Sequence, residues 1–68
     1  MKAYAVQAPD GGFWQDGHMG VNGTSKIPYL FEDRQSALWF EQEVRQDGSV
    51  GTVVGIAFEP YVLGESNV

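Results

Sequence analysis

Four dipeptides of one kind limit what this chain can build: Asp10-Gly11, Asp16-Gly17, Asn22-Gly23 and Asp47-Gly48. Each joins a residue that tolerates the left-handed backbone region to a glycine that enters it without steric cost, so each predicts a chain reversal. The first three crowd the N-terminal third, where only short extended pieces fit between them. Together the four divide the chain into short extended pieces and one helix.

Residues 3–8 alternate Tyr4, Val6 and Ala8 against Ala3, Ala5 and Gln7, and Phe13-Trp14-Gln15 follows after PDGG, which predicts a β-hairpin. The ten residues 17–26, GHMGVNGTSK, read as a turn or two linked turns. IPYLF, residues 27–31, reads as a strand, and Pro28, which lacks a ladder donor, suits it to a sheet edge or to a strand's first residues. Asp33 reads as a helix N-cap for the Ser36 amide, with Glu32 and Asp33 at the positive end of the helix dipole. The helix is expected from about Arg34 to about Gln46, stopping at Asp47-Gly48. At 100° per residue Ala37, Phe40 and Val44 share one narrow arc, flanked by Leu38, while Trp39 falls nearly opposite among Gln35, Gln42, Glu43 and Gln46. TVVGIAF, residues 52–58, is apolar on both alternating sets, as in a strand at the middle of a sheet. Pro60 ends it, and residues 59–68 form a partly apolar tail where any flexibility is expected to concentrate. The sum is an α+β two-layer domain: an antiparallel or mixed sheet of three or four strands with one helix on a face.

A chain of 68 residues without cysteine has no disulfide staple, so residues 1–68 are expected to form a single domain whose core is self-sufficient or completed by a second copy. Its 43% hydrophobic and 13% aromatic content is that of a folded domain. No apolar run of leader or membrane-spanning length is present, which predicts a soluble cytoplasmic protein with no membrane partner. Nine acids against four scattered bases (Lys2, Lys26, Arg34, Arg45) give a net charge of -5. Direct nucleic-acid binding is disfavoured, and a protein partner with a basic surface is favoured.

Catalytic and cofactor signatures are missing. Gly17, Gly20 and Gly23 fall at a G-x-x-G-x-x-G spacing, but a phosphate loop needs lysine before the hydroxyl and a helix to follow, whereas here Thr24-Ser25 precede Lys26 and a proline-bearing segment comes next. His18 is the only imidazole, and without cysteine or a second histidine a metal would depend on Asp10, Asp16 and backbone oxygens. No serine or threonine lies in a nucleophile elbow. Glu41 and Glu43 stand about 200° apart around the helix and cannot converge as an acid/base pair. The sequon Asn22-Gly23-Thr24 has no secretory signal to make it a modification site. No cofactor, no metal and no catalytic residue is assigned.

The aromatics are more informative. Phe13 and Trp14 are consecutive on a strand, so they point to opposite faces and cannot share one core. Trp39 either lies along the helix shoulder under Tyr61, Val62 and Leu63, or is an exposed anchor for a partner. On the second reading the binding residues are Trp39, Glu43, Trp14, Glu32, Asp33, Glu41 and Asp47, the rings supplying affinity and the acids steering a basic partner.

The stretch YLFEDRQSALWFEQEVRQDGSVGTVVGIAFEP, residues 29–60, resembles small acidic orphan proteins of bacteriophages and mobile elements, anti-CRISPR inhibitors among them. In these a strand ending in an aromatic leads into x-E-D-x-x-x-A-x-x-F and then a valine-rich returning strand. The resemblance implies a non-enzymatic protein-binding module, an inhibitor that docks on a basic surface of a host or defence complex. A variant has the acids imitating nucleic-acid phosphates. The alternative is a homo-oligomeric structural or assembly protein joined through residues 26–31 as an edge strand or through the tail. An enzyme is the least supported class.

Overall fold

A computed structural model of the chain describes residues 2–17 and 19–57. Its elements are β1 (Lys2–Gln7), β2 (Phe13–Gly17), β3 (Gly20–Ser25), α1 (Arg34–Gln46) and β4 (Thr52–Ala57). The four strands form one antiparallel sheet in the order β3-β2-β1-β4, and α1 packs on one face of it, an α+β two-layer arrangement.

The turn residues act where glycine is required. At PDGG, Gly11 adopts φ 95° and donates its amide to the Ala8 carbonyl at 3.0 Å, while the Asp10 carboxylate accepts the Gly12 amide at 2.8 Å. Asp33 caps α1 as expected, accepting the Ser36 amide at 2.8 Å. The helix stops where Gly48 takes φ 85° and its amide reaches back to the Arg45 carbonyl at 3.0 Å.

Three expectations are corrected. GHMGVNGTSK is not merely a turn: Gly20–Ser25 is β3, paired with β2 from Phe13↔Ser25 to Gly17↔Gly20 across an irregularity between Trp14 and Asp16. Asn22-Gly23 therefore lies inside a strand, which tolerates Gly23 at φ 76° because β3 is the sheet's outer strand. IPYLF is not an edge strand: only Phe31 pairs, in an isolated bridge with Tyr4 (3.0 and 2.7 Å), since Pro28 has no amide to extend a ladder. The third concerns TVVGIAF, whose β4 portion is last in the sheet order rather than central. The interior strands are β2 and β1, and β1 holds the buried Ala3, Ala5 and Val6, with Ala8 buried just past its end; small alanines on both alternating sets masked this in the sequence.

The core is Val6 of β1 with Ala37, Phe40 and Val44 of α1, surrounded by Tyr4, Trp14, Val21, Phe31 and Val53. Val6 faces the helix, so Ala3 and Ala5 face away, opposite Ile56 and Val54 of β4. The even residues of β1 turn their backbone groups toward β2, as the Tyr4–Phe31 bonds and the Ala8 amide to Gly12 carbonyl bond (2.7 Å) require. Phe31 thus sits on the β2 side of β1. His18 and residues 58–68, including the tail on which part of the Trp39 reading rested, lie outside the described residues.

Candidate partner-binding surface

The buried stripe of α1 has two margins. At 100° per residue Phe40 forms the margin nearer Trp39, and Glu41 with Leu38 lies round the other. The rings of Phe31 and Tyr29 pack on Phe40 at 5.4 and 6.5 Å between centroids, and on each other at 5.2 Å. The Trp39 margin therefore turns toward the β2 side, where Phe31 stands, and the Glu41 margin toward β4.

Trp39 is 64% exposed, and on the segment leading into the helix Ile27 is 74% and Leu30 47% exposed. That segment is pinned rather than loose. The Gln15 side-chain amide donates to the Ile27 carbonyl at 2.8 Å, and the Ser25 hydroxyl accepts the Ile27 amide at 3.2 Å. The Trp39 flank, meaning this segment and the outer side of the helix that it joins through the Tyr29–Phe40 contact, exposes Ile27, Tyr29, Leu30 and Trp39; large apolar side chains left in solvent are what interaction sites are built from.

The expected site residues divide between two fates. Glu43 is exposed one helical turn from Trp39, and Glu32 and Asp33 are exposed where the flank meets the helix start. The Ser36 amide holds the Asp33 carboxyl below its ordinary value, so it stays charged. Asp47 is exposed at the far end of the helix. Glu41 is committed elsewhere: its side chain is 12% exposed and Arg45 clasps both oxygens, Nη2 to Oε1 at 2.7 Å and Nε to Oε2 at 3.1 Å. The same contact holds the Arg45 guanidinium above its ordinary pKa. Trp14 turns inward, packing against the core and donating its indole N–H to the Val50 carbonyl at 2.8 Å. Neither Glu41 nor Trp14 faces the flank. The sequence pattern of IPYLF, that of a paired strand, hides Ile27, Tyr29 and Leu30 as exposed residues; Pro28 beside consecutive apolar residues is the signal that the segment stands out of the ladder.

The hollow at the β2–β3 tip is lined by Gly17, Met19, Gly20, Val21 and Asn22, with no charged side chain among them. Among the described residues no group of three or more histidines and acids is placed to hold a metal ion, and no helix is long and apolar enough to cross a membrane. Comparison with protein-family models, curated proteins and solved structures returns no match.

Proposed function

We propose that this chain is a non-enzymatic protein-binding module that docks its Trp39 flank on a partner with a basic surface. The observation that supports the reading is a tryptophan 64% exposed on a helix whose own core needs are met by Ala37, Phe40 and Val44. Tryptophan concentrates binding energy at interface centres, and Tyr29, Leu30 and Ile27 extend the apolar area around it. Glu32, Asp33 and Glu43 supply the negative rim that steers a basic partner. The resemblance to phage and mobile-element orphan proteins accords with an inhibitor that occupies a host or defence protein in the cytoplasm. The acids as a nucleic-acid imitation fit less well, since Glu41 is already neutralised by Arg45.

The test is affinity capture from host lysate with wild-type chain and Trp39→Ala in parallel, read by mass spectrometry, with circular dichroism melting of both. A partner recovered by the wild type and lost by an equally stable variant supports the reading. A partner captured equally by both removes Trp39 from the interface.

A further inference from the structure

β4, Thr-Val-Val-Gly-Ile-Ala, has no charge and no proline, yet among the described residues it is paired on one side only. Exposed edge strands ordinarily hold a lysine, a proline or a bulge against pairing with another chain, and β4 contains none. Its backbone is also set for pairing. Gly55 and Val53 stand opposite Tyr4 and Val6, whose amides and carbonyls turn toward β2. The alternation of an antiparallel ladder therefore turns the amides and carbonyls of Val53, Gly55 and Ala57 outward.

We propose that this edge pairs antiparallel with β4 of a second copy, joining two four-stranded sheets into one about a two-fold axis. A second copy fits because the strand is uncharged throughout, so self-pairing sets no like charges opposite one another within β4. The Lys2 side chain lies on the helix side over Gly55, above the sheet plane, and leaves the edge's backbone open. The helices are no obstacle. α1 packs over Val6 of β1, with Val53 of β4 on one side and Trp14, Val21 and Phe31 on the other, and a two-fold axis normal to the sheet puts both helices on the same face of the joined sheet, clear of the paired edges. The margins that face each other carry Leu38 and the Glu41–Arg45 pair. The Trp39 flank lies on the other margin and stays free, so this dimer and the proposed function stand or fall separately.

Two measurements on the full chain decide it. Sedimentation across the micromolar range is expected to show twice the chain mass, reverting to one chain mass in Gly55→Pro, which removes an outward amide, and in Ala57→Glu, which puts a charge on the edge. Circular dichroism separates lost pairing from lost folding, and Ala57→Glu decides should Gly55→Pro fail to fold. Amide hydrogen exchange by NMR is expected to slow at Val53, Gly55 and Ala57 by about tenfold or more as concentration rises through the dimer range. Fast exchange at every concentration, or a chain that is monomeric throughout, overturns the proposal. So does slow exchange independent of concentration, which would assign the edge to this chain's own residues 58–68. A dimer that both folded variants leave intact overturns it as well.

Discussion

Trp14 and Trp39 are one residue type in two roles, and single substitutions separate them. Trp14 packs against the core and its indole N–H is bonded to the Val50 carbonyl, so Trp14→Phe keeps most of the packing and loses the bond. Val50 is exposed and water can take up its carbonyl, which limits the expected loss of stability to about 0.5–1 kcal/mol in urea unfolding. Trp39 touches none of the buried core cluster's requirements, and Trp39→Ala is expected to change stability by no more than about 0.5 kcal/mol. Asp33 carries the residue-scale pH dependence. Its folded carboxyl is more acidic than the ordinary 3.8 because it accepts the Ser36 amide, so its stabilisation is full above that value and is lost as pH falls through the lower, folded one. Asp33→Ala is therefore expected to lower the melting temperature at neutral pH, with the gap from wild type closing well below pH 3.8.

Among elements, α1 was legible to the residue. Its cap, its stripe and its stop are local features, each decided by neighbours within one or two turns, and Asp33, Phe40 and Gly48 all behave as their positions dictate. The sheet was legible in composition but not in order. Val54 and Ile56 made β4 look central, whereas Ala3 and Ala5 made the true centre look weak; strand order depends on contacts between distant residues, which alternation along one strand does not encode. β3 was hidden for another reason, since its glycines and asparagine are turn formers that only pairing with β2 holds extended. The flank at Ile27–Leu30 was hidden because the pairing assumed for it does not form beyond Phe31. The link from α1 to β4 offers an element-scale test at Gly51. A Cβ there would stand 2.5 Å from Val6 Cγ1, and Val6 is fully buried with no room to yield. Gly51→Ala is expected to destabilise by about 1–3 kcal/mol, measured by urea unfolding, although the backbone there is an ordinary one for alanine.

For the molecule as a whole, the net charge of -5 overstates the charge that the Trp39 flank presents. Glu41 is neutralised within the helix by Arg45, Asp47 stands at the far end of α1, and Arg34 sits beside Asp33. What the flank is left with is Glu32, Asp33 and Glu43 against Lys26, exposed beside Ile27, and Arg34, a thin negative excess at an apolar surface. Such an arrangement assigns long-range steering to charge and residence time to the rings, and the two respond to different perturbations. Raising ionic strength from about 0.05 M to about 0.5 M shortens the screening length to a few ångströms, which is expected to slow association with a basic partner by up to about tenfold and leave dissociation little changed. Trp39→Ala is expected to do the reverse, speeding dissociation with association nearly constant. Surface plasmon resonance on the captured partner separates the two rates. If salt instead accelerates dissociation as strongly as it slows association, the contact is chiefly ionic, and the apolar flank of Trp39, Tyr29 and Leu30 loses its place at the centre of the interface.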